Sequence, residues 1–121
     1  MITIDVSSTK PIYEQIYEEF VRLIFLNILS ENEKIPSVRE LALLLQINPN
    51  TIQKSYRLLE KNKFIKSVKG KGNFVNFNEE AQNMYKNRVQ NKLLEIVNEL
   101  IDIGVNKNEI IKLVKESVNN A

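Results

Sequence analysis

Residues 47–56 read INPNTIQKSY, and the break inside them decides the fold. Before it, ELALLLQ (40–46) is a dense apolar run; after it, TIQKSYRLLEKN (51–62) resumes a helical pattern at once. Asn48 is a good N-cap residue, and Pro49 suits the first helical position, where its missing N–H costs nothing. At about 100° per residue, Ile52, Ser55, Tyr56 and Leu59 gather on one side of the helix that follows. Asn50, Gln53, Lys54, Arg57 and Lys61 gather on the other, a polar, basic side free of carboxylates. Two helices joined by a tight turn, the second anchored by one face, make a helix-turn-helix. Such units lay the N-terminal end of the second helix against base edges in the major groove.

Upstream, Ser37 and Glu40 form the S-x-x-E capping box that starts a helix. That helix is expected to turn Val38, Leu41, Ala42, Leu44 and Leu45 inward and to end near Gln46. The polar NILSENEKIPS (27–37) reads as turns. Before it, Ile12, Ile16, Phe20, Leu23 and Ile24 recur at helical spacing behind Pro11, which predicts a helix over roughly 11–27.

Downstream, FIKSVKGKGNFVNF (64–77) changes period. Phe64, Lys66 and Val68, then Phe74 and Asn76, alternate with Ile65 and Ser67, then Val75 and Phe77, on either side of a Gly-bearing turn. This is a β-hairpin signal. Its tip carries Lys69 and Lys71, and Gly70 and Gly72 let the backbone approach a partner closely. A hairpin after a helix-turn-helix is a wing. The expected fold is therefore mainly α with a small β-hairpin (α+β): a winged helix-turn-helix over 1–78 and a short helical dimerisation segment over 79–121.

In that segment Val89, Leu93, Ile96, Val97, Leu100 and Ile101 form an apolar stripe stopped by Gly104. Asn106 with Glu109 restarts a helix bearing Ile110, Ile111, Leu113, Val114 and Val118. Two helices alone leave half of each apolar face wet. Pairing with a second copy would bury Leu93, Ile96, Val97, Leu100 and Ile101, with Ile110 and Val114.

Composition narrows the function. The chain has 121 residues, 43% hydrophobic and 26% charged, enough for one core. Cys and His are both absent, which removes thiolate chemistry, the commonest general base and the commonest metal ligands. No phosphate-binding glycine loop occurs among three glycines. An enzyme is not expected, nor is a cofactor. The apolar FVRLIFLNIL (20–29) is too short and interrupted to span a bilayer, and the pattern before it lacks the basic leader and cleavage site of a signal peptide, so none is expected. A cytoplasmic location is expected. The net charge is only +2, yet residues 50–72 hold seven Lys/Arg and a single acid, Glu60. Such an island is the sequence footprint of a polyanion-binding surface.

KPIYEQIYEEFVRLI (10–24) and EKIPSVRELALLLQINPNTIQKSYRLLEKNKFIKSVKGKGNFV (33–75), with the elements PSVRELA, NPNTIQKSYRLLE and GKGNFV in order, resemble over residues 10 to about 77 the DNA-binding domain of GntR-family bacterial transcription regulators. The opening PIYEQI and a C-terminal part of about forty residues are similar to the YtrA-type subfamily, in which a short helical segment dimerises. The resemblance implies DNA contacts from Arg39 of PSVRELA, from Asn48, Asn50 and Thr51 at the turn, from Gln53 and Lys54 after it, and from Gly70 with Lys69 at the wing tip. Other subfamilies often carry Arg where this chain has Pro49 and Gln53; Arg favours guanine and Gln favours adenine, so the operator is not transferable. Gly is usual where this chain has Asn27 and Asn32, and Asn tolerates the left-handed conformation best among the other residues. Lys61, Lys63 and Lys66 read as diffuse positive field, and Tyr56 and Phe74 as core.

The expected function is a homodimeric DNA-binding regulator, a repressor on an inverted-repeat operator of double-stranded DNA, with no membrane partner. Two other classes compete with it: a non-specific architectural nucleic-acid binder, and a winged helix used for protein–protein contact. Nothing in the sequence specifies a small-molecule effector.

Overall fold

Each helix of this chain is started and stopped by local chemistry that the structure makes explicit. In the computed structural model, which describes residues 2–121, the elements run α1 (Ile12–Phe25), α2 (Val38–Leu45), α3 (Pro49–Lys61), β1 (Ile65–Val68), β2 (Gly72–Val75), α4 (Glu79–Asp102) and α5 (Lys107–Asn119). They form two compact units, one extending to Gln82 and the other from Asn83 to Ala121. No helix of the described residues is long and apolar enough to cross a membrane.

In the first unit α1 starts one residue later than its pattern suggested, because Pro11 stands outside it as the N-cap with extended ψ. Ser37 caps α2 through a reciprocal box: Ser37 Oγ accepts from the Glu40 amide, and Glu40 Oε1 accepts from the Ser37 amide, both at 3.1 Å. Asn48 Oδ1 accepts from the Asn50 amide at 2.8 Å to open α3, with Pro49 at its first position.

The helix ends share one device. Asn27, Gln46 and Lys63 adopt left-handed φ of 57°, 55° and 65° within two residues of the ends of α1, α2 and α3. The next amide then reaches back five residues: Ile28 to Leu23, Ile47 to Ala42 and Phe64 to Leu59, at 2.9–3.0 Å. This is the Schellman closure, which satisfies carbonyls the helix leaves open. At Gln46 it produces the tight turn between α2 and α3. Asn32 is also left-handed, at φ 67°.

The core lies between α1 and α3. Ile16, Phe20 and Ile24 meet Ile52, Tyr56 and Leu59, all essentially buried, with Leu41 and Ala42 of α2 beside them. Phe20 and Tyr56 pack edge to face, centroids 5.7 Å apart. Fully buried Ser55 donates to the Tyr13 carbonyl at 2.7 Å, and the Tyr56 hydroxyl donates to the Pro36 carbonyl at 2.6 Å. Leu44 is a correction: it is 73% exposed, as is its neighbour Leu43 at 75%, while Val38 and Leu45 are only half-buried. An eight-residue helix fixes its face by what packs on it, and here that face is narrow.

The wing is antiparallel, with Ile65 opposite Val75, Lys66 opposite Phe74, and Val68 opposite Gly72. Its turn is closed by the Lys71 amide donating to Val68 O at 2.9 Å. Residues 32–35, which read as turns, lie along the free edge of β2. The Asn32 amide donates to Val75 O, Val75 to Glu33 O and Ile35 to Asn73 O, at 2.8–3.0 Å, and Lys34 bridges Phe74. Ile65, Val75 and Ile35 face the core; Phe74 is half-buried rather than core.

In the second unit α4 ends in the same Schellman closure around Gly104, φ 87°, with the Val105 amide donating to Leu100 O at 3.0 Å. Asn106 then caps α5, its Oδ1 accepting from the Asn108 amide at 2.7 Å. Ile110 is buried within this unit; Leu93, Ile96 and Ile101 are exposed, and Val97 and Leu100 half-buried.

Candidate nucleic-acid interface

The front of α3 is built by its cap. With Asn48 Oδ1 on the Asn50 amide, the helix starts abruptly and its first turn carries no carboxylate. The remaining open amides and the helix dipole give that end partial positive charge, which suits an anion. Asn50, Lys54 and Arg57 are exposed there, and Thr51 and Gln53 half-exposed. The opposite side, Ile52, Ser55, Tyr56 and Leu59, is buried, so the helix cannot rotate without losing its core.

Arg39 is the second residue of α2 and is exposed beside the capping box. The box's hydrogen bonds from Ser37 hold the Glu40 carboxyl below its usual range, so it stays ionised and occupied with the helix start. Burial, and secondarily the Glu40 charge, push the Tyr56 hydroxyl up, so it remains a protonated donor to Pro36 O. That bond ties α3 to the segment entering α2.

The wing places Lys69, Gly70 and Lys71 at its tip, all exposed. Gly70 has φ 75°, and a Cβ there would meet nothing within 4 Å. Only the left-handed backbone asks for glycine in the free protein; open space remains for a partner. Among the described residues the salt bridges are Lys10–Glu18, Arg22–Glu19 and Lys112–Glu116. Arg39, Arg57, Lys61, Lys69 and Lys71 enter none of them. Surface cations without carboxylate partners lose no existing ion pair when they meet phosphate.

One side chain is not where its helix position implies. Lys54 Nζ rests 3.9 Å from the centroid of the Tyr13 ring on α1, a cation–π contact. Its ammonium rests on α1 while the residue stays exposed. Tyr13 was not singled out from sequence, and no local signal could mark it, since the contact joins residues forty-one positions apart (54 minus 13). Lys66 is also tethered, donating to Asn32 Oδ1 at 2.7 Å. No group of three His, Cys, Asp or Glu side chains suited to a metal occurs among the described residues.

Residues 12–75 match the model of the gntR family of bacterial regulatory proteins. Over 78 residues the chain is 42% identical to the HTH-type transcriptional repressor YtrA of Bacillus subtilis (strain 168), a match taking in 64% of this chain and 60% of that relative's length. A solved structure described as a transcriptional antiterminator from Listeria monocytogenes EGD-e is 38% identical with a TM-score of 0.79, covering 98% of this chain and 90% of that one. The DNA-binding domain of AraR, solved in complex with the operator ORX1, is 29% identical with a TM-score of 0.54, covering 60% of this chain and 90% of that one.

Proposed function

This chain belongs to the GntR family of DNA-binding bacterial transcription regulators, as a YtrA-type member, and from that premise we propose that it is a homodimeric cytoplasmic repressor seated on an inverted-repeat operator. The observation that carries the reading is the carboxylate-free front of α3 beside cations that have no ion-pair partner in the described residues. A groove of phosphates would supply those partners.

In this reading Asn50, Thr51 and Gln53 face base edges, with Arg39 reaching in from the start of α2. Asn48 has its oxygen engaged by the cap, which leaves its amide N–H groups to donate to phosphate. Arg57 and the wing tip of Lys69, Gly70 and Lys71 add backbone contacts. Leu93, Ile96, Val97, Leu100, Ile101 and Val114 pair with their equivalents in a second copy. Ile110, already buried, braces that face from behind. Domains in this scheme are 1–78 for DNA and 79–121 for pairing, the helix α4 beginning at the boundary.

A two-fold dimer offers two recognition helices to two half-sites, so the operator is an inverted repeat. Repression follows from occupancy: a dimer on a promoter excludes polymerase without needing any chemistry of its own. The test is selection from a random duplex pool, then mass measurement of the protein free and on the winning sequence. An enriched inverted repeat bound by two chains is expected. A single chain on an asymmetric site would overturn the dimer, and no enrichment at all would overturn specific recognition.

A further inference from the structure

Lys34 lies just before PSVRELA, in a segment that read as turns, and none of the motifs that marked the DNA-binding unit gave it a role. The structure fixes its backbone: Asn32, Glu33 and Ile35 are hydrogen-bonded to β2 on either side, and Lys34 itself bridges Phe74. In an antiparallel bridge the paired side chains share a face. Lys34 therefore stands with Phe74 and Lys66 on the outer face of the wing, away from Ile65 and Val75.

Gly72 shows where the side chain goes. A Cβ on Gly72 would lie 3.0 Å from Lys34 Cε and 3.7 Å from Lys34 Nζ. The lysine stem occupies the space that any other residue at 72 would fill. It ends next to the turn that bears Lys69 and Lys71. The left-handed φ of Gly72, 121°, independently restricts that position to glycine. Lys34 is exposed and forms no ion pair among the described residues; its charge is felt by Glu40, whose carboxyl it helps keep ionised from a distance.

We propose that Lys34, seated over Gly72, is a further phosphate-binding residue of this protein, joining the wing tip to the start of α2 in one cationic edge along the DNA backbone. Two features distinguish it from a solvated surface lysine. Its main chain is held against β2, so no backbone entropy remains to be lost there on binding. Its stem lies in a slot that glycine leaves open, which directs the ammonium group toward the turn. The proposal rests on the reading of this chain as a DNA-binding regulator.

The experiment is salt-dependent binding of the full-length protein to the duplex selected above. The variants are Lys34→Gln, Lys34→Arg, and a charge-matched control in the second unit, Lys115→Gln. Each phosphate contact contributes about 0.9 to the slope of log K against log salt on B-DNA. On a duplex bound by two copies Lys34→Gln removes two contacts and is expected to reduce the slope by about 1.8 across all sequences, Lys34→Arg to keep it, and Lys115→Gln to leave it unchanged. Thermal melting of each variant separates a lost contact from a damaged sheet. An unchanged slope for Lys34→Gln, or one lowered only in step with a lower melting temperature, would overturn the assignment. An equal fall for Lys115→Gln would reduce Lys34 to diffuse field and overturn it as well. A parent protein that binds no duplex would instead remove the regulator reading itself.

Discussion

Gln53 and Lys54 are neighbours on α3, yet the structure gives them different tasks. Gln53 sits on the front of the helix, whereas the Lys54 ammonium rests on the Tyr13 ring. Across operators changed one base pair at a time, Gln53→Ala is expected to lose about 1–3 kcal/mol of discrimination at a single position. Lys54→Ala should weaken every operator alike; a loss confined to one base pair would return Lys54 to base reading. The left-handed residues allow a stability prediction at the same scale. Lys63 carries a side chain at φ 65°, a conformation that glycine adopts without the Cβ clash. Lys63→Gly should stabilise the fold by up to about 1 kcal/mol in denaturant titration, the relief of strain exceeding the added chain entropy. Asn27 should gain less from the same change, because Asn already tolerates that region.

Between residue and molecule stand the caps, and they carry a pH dependence. Glu40 has its pKa lowered from 4.5, chiefly by the bond from the Ser37 amide. A depressed carboxylate adds stability that is present above its unfolded value and lost as pH falls through its folded one. The capping contribution should therefore fade as the solution is acidified below about 4.5. Glu40→Gln keeps an acceptor for the Ser37 amide and should flatten that part of the acid melting profile; a profile identical to the parent would show that the box contributes nothing. At the wing, neutralising both Lys69 and Lys71 removes four contacts from an operator bound by two copies and should lower the salt slope by about 3.6 while barely changing sequence preference. These elements also show what the sequence could and could not disclose. Caps, turns and the hairpin were legible because each is a contract between residues within a few positions: Ser37 with Glu40, Asn48 with Asn50, Lys71 with Val68. The bridge of Lys34 to Phe74 was not, since its partner is forty residues away and the residues around Lys34 show no alternation. Leu44 misled for a related reason: apolar content suggested a wide buried face on α2, and only tertiary packing could reveal that Leu41 and Ala42 suffice. Among the proposed DNA residues, Asn50, Gln53, Lys54 and Arg57 followed from helical periodicity, while Arg39, Asn48 and Thr51 were reachable as DNA contacts only through resemblance.

For the whole molecule, the decisive quantity is apolar surface in the second unit. Leu93, Ile96 and Ile101 are each about half or more exposed there, with Ile103 and Val118 more so. Large apolar side chains exposed in such number mark a surface that meets a partner. Leu100→Glu and, separately, Ile96→Glu are expected to yield monomers by sedimentation and to abolish tight binding to a full inverted repeat. Circular dichroism should show α1–α3 still folded, because the buried residues of that core lie in the first unit. Retained dimers in both variants would place the pairing surface elsewhere. The half-site alone should be bound weakly by parent and variants alike, since the second contact is gained only through the tether.

The bridge between Lys34 and Phe74 also bears on when the protein becomes competent. Lys34 pairs with Phe74, so the whole of α2 and α3 is enclosed within one loop of chain. Contacts between distant residues form slowly, after the helices they enclose have condensed. A chain leaving the ribosome would hold its recognition helix well before its wing is latched. Early in its life it would be a helical bundle with a loose hairpin, able to graze DNA but not to grip it. Pulse-labelled hydrogen exchange can time this: the Ile35 and Val75 amides should gain protection after those inside α3. Simultaneous protection would mean that the latch and the helices close in one step.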